Sequence, residues 1–404
     1  MSHLLIYDAD LSGHHRDYLD AIVNYVEKYS PLDRGISQVS YMLPAGYWSA
    51  RVGMPSPIQA NRIDIPSEFL DQRNSLPPRK RALLEVEMLA NIVYTHSIDE
   101  LVLMNLDYFQ VALSTLAARN IACKVSGIQF QPYTRLEKVA RQAPLKPSLF
   151  FRALRKRYRL QRILNNINVF RLLVPADFAA VDLLNQRHQK HLRAVMLPEP
   201  YLGTLANAIA SNSTASPDIR KRYGLKPASR VVLIFGTIAP RKNVEKVIGA
   251  MDILYQSSQQ NTELLVVGKA SLDYQKKLRV LASTNNAAES GIHFDFEFVE
   301  NDVMRALFQS CDVVAMPYSK AYQSSGILFQ ALEYQKPVIT ANQGLVHDLV
   351  QQYALGESVD PTDPKEICKA ISKLLDMWSP SVQAQVLVEC HTAENHAAVL
   401  LNQR

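Results

Sequence analysis

The hydrophobic pattern alternates along the chain between short apolar runs and longer segments with helical spacing. In the second half, the apolar runs predict strands at 231–235, 264–267, 294–299, 313–316 and 338–340. Between them apolar residues recur every three or four positions, which predicts helices near 242–257, 271–284, 301–310 and 324–336. Because strands and helices alternate, we expect a parallel sheet covered by helices on both faces.

The first half shows the same alternation less clearly. Its predicted strands are 4–7, 100–105, 123–130, 169–174 and 194–197, and its predicted helices are 16–29, 80–94 and 108–118. Residues 47–79 are rich in proline, serine and arginine, so we expect irregular structure there. Helices near 363–377 and 382–402 are predicted to end the chain.

The chain has 404 residues, which is enough for two domains that each bury a core. Small polar residues at 206–217 predict a linker. We therefore expect an N-terminal domain over 1–205 and a C-terminal domain over 218–381, with the last helix, about 382–404, packing back on the first. The predicted class is α/β, with two Rossmann-like, doubly wound parallel-sheet domains that face a cleft.

Composition indicates a folded protein of the cell interior. No apolar run approaches the roughly 20 residues needed to cross a bilayer, and the first residues do not resemble a signal peptide. The four cysteines are scattered without a Cys-x-x-Cys pair, so neither a zinc site nor a disulfide framework is predicted. We expect a cytoplasmic protein. The formal net charge of +6 suits anionic partners without identifying them.

Much of the positive charge lies in one segment, 146–162, which holds seven basic residues and no acidic one. Phe150, Phe151 and Tyr158 are interspersed with them. Such a helix can lie on an anionic membrane surface, so we expect a peripheral protein at the inner face of the membrane. A solvated helix face is the alternative. Nucleic acid is not expected as a partner, because no nucleic-acid-binding motif accompanies the segment.

A candidate phosphate site follows the predicted strand 313–316. Ser324, Ser325 and Gly326 come just before a helix, where serine is a good N-cap and glycine lets another group approach closely. The unpaired amides of a helix start, with the helix dipole, favour a phosphate at the carboxyl edge of a sheet. The alternative is an ordinary capped helix. Neither a Gly-x-Gly-x-x-Gly fingerprint nor a Walker loop is present.

Four short motifs occur in order through the second half, at 235–244, 264–268, 307–317 and 330–339. Together they resemble the donor-binding domain of glycosyltransferases with the GT-B fold, most like family 4 (group 1). Segments 127–132 and 198–200 resemble shorter pieces of the first domain of that family. The resemblance implies a hexosyltransferase that moves a sugar from a nucleotide-sugar to a glycan, glycolipid or protein-linked acceptor. It also implies retention of anomeric configuration, with neither a metal nor another cofactor.

The resemblance places donor-binding residues after the first strand of the second half. Gly236 matches the glycine of the family, whereas the arginine expected beside it is Thr237. Lys242 matches the conserved lysine of the family motif, and the adjacent Arg241 can supply the second cation. We expect both cations to offset the charge of the leaving diphosphate. A solvated helix start is the alternative, although the helix dipole does not favour cations there.

A second departure concerns two glutamates of the family, eight positions apart, that contact the donor sugar and the ribose. Tyr322 and Gln330 hold those positions here. The Gln330 amide can still hydrogen-bond a ribose, whereas Tyr322 offers one hydroxyl and no charge. These changes also fit a binding or scaffold subunit that has lost catalysis. A sugar-nucleotide epimerase of the same architecture is a further alternative.

The first half should face the acceptor. Gly13 lets the backbone approach the donor, and His14 or His15 can contact the acceptor or transfer a proton, unless both are surface residues. Asp107 follows a predicted strand and either orients the acceptor hydroxyl or caps the next helix. Asp8-Ala9-Asp10 is read as a turn with capping residues, so no metal site is predicted.

Overall fold

A computed structural model of the chain describes residues 2–11, 15–29, 35–49, 61–142, 147–189, 192–201, 217–256, 261–283, 291–319 and 322–402. Gly13, His14 and the predicted linker, apart from Pro217, lie outside these residues. The chain divides into two compact units. The first unit contains Met1–Pro200 and His391–Arg404, and the second contains Tyr201–Cys390.

The first unit is built on a parallel sheet. Its described strands are β1 (Ser2–Tyr7), β2 (Ile36–Met42), β3 (Asn61–Arg62), β4 (Glu100–Leu103), β5 (Lys124–Ile128), β6 (Asn168–Pro175) and β7 (Ala194–Leu197). They are ordered β3-β2-β1-β4-β5-β6-β7, and every neighbouring pair is parallel. The helices are α1 (His15–Tyr29), α2 (Ala45–Ser49), α3 (Ser67–Ser75), α4 (Pro78–Thr95), α5 (Leu106–Leu113), α6 (Tyr133–Gln142), α7 (Pro147–Asn166) and α8 (Phe178–His188).

The second unit repeats this plan. Its described strands are β8 (Arg230–Phe235), β9 (Thr262–Val267), β10 (Ile292–Asp295), β11 (Val313–Met316), β12 (Val338–Ala341) and β13 (Gly356–Val359). All are parallel, in the order β10-β9-β8-β11-β12-β13. The helices are α9 (Ile219–Tyr223), α10 (Val244–Tyr255), α11 (Leu272–Ser283), α12 (Asn301–Ser310), α13 (Gly326–Glu333), α14 (Leu345–Tyr353), α15 (Pro364–Met377) and α16 (Val382–Cys390); α17 (Ala393–Leu400) belongs to the first unit.

The central strands are buried on both faces, which explains why they were visible as continuous apolar runs. Val232, Leu233 and Ile234 of β8 are all fully buried. Val232 and Ile234 pack into one core cluster with residues of α10 and α15. Side chains that point to both faces must be apolar in a sheet covered by helices on each side. The predicted α/β class with two doubly wound sheets is confirmed.

Several sequence predictions need correction. The strand expected at 294–299 is Ile292–Asp295, and residues 67–75, expected to be irregular, form α3. Strand β2 was missed because its sequence, Ile-Ser-Gln-Val-Ser-Tyr-Met, mixes polar residues into a short run. Strand β13, Gly-Glu-Ser-Val, was missed for the same reason.

The single helix expected near 382–402 is two helices. Thr392 starts the second of them, because its hydroxyl accepts a hydrogen bond from the Asn395 N–H at 3.1 Å. At the other end of α17, the buried Arg171 donates to the carbonyls of Val399 and Leu400, both at 2.8 Å. Arg171 also pairs with Glu100 at 2.7 Å. A cation at the carboxyl end of a helix matches its dipole, so this contact fixes α17 in the first unit.

Replacing Arg171 with leucine should therefore release α17. The change leaves the Glu100 carboxylate and two helix carbonyls buried without their donor, which costs about 3–5 kcal/mol. Hydrogen–deuterium exchange of the α17 amides should become at least 100-fold faster. Arg119→Leu is the control, because Arg119 is an exposed arginine of the same unit. Equal protection of α17 in both variants would contradict this account.

Candidate donor-binding site

The order of the second sheet creates a topological switch point. Strand β8 has β9 on one side and β11 on the other, because the chain runs from β8 outward through β9 and β10 and then crosses to β11 on the opposite side. Ligands of doubly wound sheets bind outside the carboxyl ends of the strands at such a point. The segments that follow β8 and β11 contain most of the predicted donor residues. They are residues 236–243 and 317–326.

Glycine is required where two strand-end turns meet. Gly236 follows β8 with φ +89°, and its N–H donates to the Val267 carbonyl at 3.0 Å. Gly268 follows β9 with φ +134°, and a Cβ built there would lie 2.3 Å from the Gly236 carbonyl oxygen. No side chain can be accommodated at that distance. The two turns therefore pack backbone against backbone.

Lys242 is buried at this edge, with only 2% of its surface exposed. It ends a short 3-10 helix, Pro240–Lys242, and its ammonium donates to the Phe235 carbonyl and to the Tyr318 hydroxyl at 3.2 Å. Among the described residues, no carboxylate forms an ion pair with it. Burial, together with the nearby charge of Arg241, lowers the pKa of Lys242 to about 7. A buried cation without a counter-ion is unfavourable, so this lysine is suited to receive an anion.

The two segments predicted to hold the diphosphate meet at this lysine. A Cβ built on Gly236 would lie 3.4 Å from Lys242 Nζ and 3.7 Å from Ile327 Cδ1, in the first turn of α13. The side-chain amide of Asn243 also donates to the Pro317 carbonyl at 2.7 Å, which links the turn after β8 to the segment after β11. The sequence motifs at 235–244 and 324–326 are thus adjacent in space.

The start of α13 has unsatisfied backbone donors. Ser325 occupies the predicted N-cap position, but its side chain makes no capping hydrogen bond. Across the described ranges, the N–H groups of Ser325 and Gly326 have no acceptor, whereas Leu328 donates to the Ser325 carbonyl at 3.0 Å. A Cβ on Gly326 would lie 2.8 Å from the ring of Tyr201, so glycine is needed for this packing.

Two polar side chains near this helix start each have a buried oxygen without a hydrogen-bond partner among the described residues. They are Ser324, through Oγ, and Gln330, through Oε1, as judged against the described residues. A buried polar atom that makes no hydrogen bond costs about 1–3 kcal/mol, so such atoms need an explanation. Both residues were predicted to bind the donor. A ligand with several donor and acceptor groups would satisfy them.

The other predicted donor residues differ in exposure. Tyr322 is buried, whereas Thr237 and Arg241 are exposed. The Arg241 guanidinium lies 5.6 Å from the ring centre of Tyr318, and Lys242 Nζ lies 4.9 Å from the same centre. Tyr318 thus positions both cations through its ring. Sequence reasoning missed it, although its place directly after the strand-ending Pro317 was a usable signal.

In the first unit, His15 lies beside a carboxylate at the end of β1. Its Nδ1 is 2.6 Å from Asp8 Oδ2, and both residues are buried. Burial lowers the pKa of His15, but the hydrogen bond to Asp8 and the charge of Asp8 raise this pKa above its usual value. The other Asp8 oxygen accepts from the Asp10 N–H at 3.0 Å, which confirms the predicted turn. The pairing of Asp8 with His15 was not predicted.

Asp107 is engaged by neighbours and does not cap its helix. Asn105 is the N-cap of α5, since its side chain accepts from the Tyr108 N–H at 3.1 Å, so the capping alternative for Asp107 is wrong. One Asp107 oxygen pairs with Lys156 at 2.5 Å, and the other accepts from the Gln131 N–H at 2.9 Å. These contacts join α5, α7 and the segment after β5.

The described residues contain neither a cluster of metal-ligating side chains nor a membrane-spanning helix. No three His, Cys, Asp or Glu side chains there are grouped closely enough to hold a metal ion. In the same residues, no helix has both the length and the hydrophobicity needed to span a bilayer.

Sequence comparison finds a family match within the second unit. Residues 215–385 match the family model for group 1 glycosyl transferases. The second unit is thus similar to a group 1 glycosyltransferase domain. The match is to group 1 as a whole, so membership of family 4 stays a prediction.

Two curated relatives of the chain are similar to it over part of their length. An uncharacterised glycosyltransferase of Methanocaldococcus jannaschii is 23% identical over 163 residues, which are 40% of each chain. The GDP-mannose:glycolipid 4-beta-D-mannosyltransferase of Xanthomonas campestris pv. campestris is 30% identical over 108 residues, 27% of this chain and 29% of the relative. The chain thus spans less than half the length of both relatives.

Solved structures show that the GT-B fold extends over the whole chain. The trehalose-6-phosphate synthase OtsA matches with a TM-score of 0.69 and 10% identity, covering 100% of this chain and 98% of that one. HepE of Anabaena, solved with UDP, matches with a TM-score of 0.61 and 17% identity, covering 100% and 95%. At these identities the likeness establishes the fold alone.

The Gly236–Gly268 contact in the second unit can be tested by Gly268→Ala. The added methyl would collide with the Gly236 carbonyl, so stability should fall by about 2–3 kcal/mol and nucleotide affinity should fall with it. Gly224→Ala is the control, because Gly224 also has positive φ (+66°) but nothing within 4 Å of its Cβ. Thermal melts and UDP or GDP titrations give both readouts. Equal behaviour of the two variants would refute the close contact.

Proposed function

We propose that the chain transfers a sugar from a nucleotide-sugar donor to a glycan, glycolipid or protein-linked acceptor. The observation that supports this best is Lys242, a buried cation without a carboxylate partner among the described residues. It lies at the switch point near the start of α13, where the N–H groups of Ser325 and Gly326 have no acceptor in the described part of the chain. A donor diphosphate carries the charge and the acceptor oxygens that this combination lacks.

In the proposed reaction, the bond between the anomeric carbon and the phosphate oxygen breaks as the acceptor hydroxyl oxygen bonds to that carbon. The proton of the acceptor hydroxyl passes to a base, for which His15 is proposed below, and a nucleoside diphosphate is released. Negative charge grows on the departing phosphate, where Lys242, Arg241 and the N–H groups of Ser325 and Gly326 would stabilise it. Because these groups supply positive charge, we propose transfer without a metal ion. Retention of configuration is proposed from the resemblance to family 4 alone.

The remaining donor contacts follow from the same arrangement. Gln330 would use its amide for the ribose, since an amide both donates and accepts. Ser324 and Tyr322 would contact the phosphates or sugar through their hydroxyls. Thr237 would line the solvent-exposed side of the donor site. Tyr322 replaces a charged sugar contact with a neutral one. We therefore propose that the donor is held mainly through its diphosphate and ribose.

For the acceptor we propose His15 as the contacting or proton-transferring residue. It follows β1, the strand beside the switch point of the first sheet, and Asp8 orients its ring. His14 and Gly13 remain proposals from sequence. Asp107 is a weaker candidate, because both of its carboxylate oxygens already accept hydrogen bonds within the first unit.

A thermal-shift panel of UDP-, GDP-, dTDP- and CMP-sugars, followed by assay of the one that binds, tests the function. Transfer should release the nucleotide in proportion to glycosylated acceptor. Binding without turnover on any acceptor would instead favour a scaffold subunit, to which the Tyr322 and Thr237 departures point. No binding of any of the four would contradict the proposal.

Replacing Lys242 with alanine should weaken UDP or GDP binding by about 10- to 100-fold, because it removes a buried charged hydrogen-bond donor. Lys246→Ala is the control, because Lys246 is exposed on the following helix. Calorimetric titration measures affinity, and unchanged affinity in Lys242→Ala would contradict the placement of the diphosphate.

A further inference from the structure

The outward face of α7 exposes an unusual amount of apolar surface. Phe150, Phe151, Leu154 and Tyr158 are 51%, 68%, 40% and 64% exposed. The opposite face is anchored in the first unit by buried Leu149, Ala153, Leu160 and Ile163. This helix is therefore apolar on two faces, and only one of them is used by the fold.

Arginines border the exposed apolar face on both sides. At 3.6 residues per turn, the four exposed apolar side chains fall within about 100° of the helix circumference. Arg157 lies just beyond one edge of that arc, and Arg155 and Arg162 lie just beyond the other; all three are exposed. An apolar centre with a cationic border is typical of helices that lie in the plane of a membrane interface. We call this surface the α7 face.

More positive charge gathers beside the α7 face. Arg79, at the start of α4, and Arg155 both act on Arg159, whose pKa is lowered by burial and by these two neighbouring charges. Like charges brought this close repel one another unless an anionic surface compensates them. Lys146, the first basic residue of the predicted segment, lies outside the described residues.

The inner side of α7 is fixed to the strand-end loops of the first sheet. Lys156 pairs with Asp107, after β4, and donates to the Gln131 carbonyl, after β5, at 2.8 Å. Arg152 donates to the Gln131 side chain at 2.5 Å. The N-terminal half of α7 is thus held next to the carboxyl edge of the sheet, where a doubly wound domain binds its ligands, and the α7 face is on the opposite side of this helix.

We propose that the α7 face docks on an anionic lipid bilayer, with its aromatic side chains in the interface and its arginines at the headgroups. Docking in this orientation would bring the carboxyl edge of the first sheet to the membrane surface, where it can take a lipid-linked acceptor. The acceptor part rests on the proposed function. The docking itself does not.

Charge and shape favour a membrane over other occupants. A nucleic acid would use the arginines but leave Phe150, Phe151 and Leu154 against a charged backbone. A second copy of the chain would bring two arginine borders together. A bilayer interface satisfies the apolar centre and the cationic border at once.

Vesicle co-sedimentation of the full chain tests the proposal, with phosphatidylcholine vesicles that contain 30% phosphatidylglycerol or none. At 0.1 M salt, the vesicles with phosphatidylglycerol should bind at least tenfold more protein than the vesicles without it. Arg155→Gln with Arg162→Gln should lower that binding at least tenfold, at roughly fivefold per arginine. Phe151→Gln with Tyr158→Gln should remove the binding that persists at 0.5 M salt.

Matched controls carry the same changes elsewhere. Lys276→Gln with Lys369→Gln removes two exposed cations of the second unit, and Tyr94→Gln removes an aromatic side chain that is 84% exposed on α4. These variants should bind vesicles as the parent chain does. All variants should keep their UDP or GDP affinity without vesicles, which separates this test from that of the donor site.

Three results would overturn the proposal. The first is no binding of the parent chain to anionic vesicles, and the second is equal loss of binding in the α7 and control variants. The third is evidence that a nucleic acid or a second copy of the chain, and not a membrane, binds the α7 face. It would show as tight binding to a short RNA without vesicle binding, or as a dimer in sedimentation that Phe151→Gln with Tyr158→Gln dissociates.

Discussion

The second unit depends on one unfavourable feature, a lysine ammonium buried at the end of the central strand without a counter-ion among the described residues. Lys242 reaches the Phe235 carbonyl and the Tyr318 hydroxyl, but neither carries charge. Desolvation lowers its pKa to about 7, so the protein alone holds the site near the point where the charge is lost. An arriving diphosphate would restore that charge. Binding and protonation are then the same event.

The surrounding structure is arranged so that this feature can persist. The glycines at 236 and 268 let two strand ends pack directly, which brings β8 and β9 to a common edge. Tyr318 lies beneath both cations, and the start of α13 adds amides that have no acceptor in the described part of the chain. The buried cation and the amides without an acceptor are each unfavourable in free energy, and a bound anion would offset this. A bound ligand would also supply hydrogen-bond partners for the buried oxygens of Ser324 and Gln330, which have none among the described residues.

Much of the fold could be predicted, because strands buried on both faces must be apolar and therefore stand out in sequence. Helix 301–310 and strand 313–316 match the structure residue for residue. Strands β2 and β13 could not be found that way, since they carry polar residues. The break at Thr392 was hidden because apolar spacing continues through it, and only the capping hydroxyl marks the new helix.

The donor segments were predictable because their motifs lie within single strand-to-helix turns. Contacts between distant segments were not: Asp107 was assigned from its position after a strand, but its oxygens are taken by Lys156 and Gln131. Tyr318 was missed although its place after Pro317 was a usable signal. The Asp8–His15 pair was missed because geometry, not spacing, gives it its role. The same holds for α7, whose sequence shows charge but not which face is already buried.

The central claim is that the diphosphate binds against Lys242 and returns its charge. Calorimetric titration at pH 8 in two buffers of different ionisation enthalpy measures the protons exchanged on binding. The ligand is whichever of UDP, GDP, dTDP or CDP gives the largest thermal shift. We predict uptake of close to one proton per nucleotide by the parent chain and almost none by Lys242→Arg, because arginine stays charged. Nucleotide binding by the parent chain without proton uptake would contradict the account.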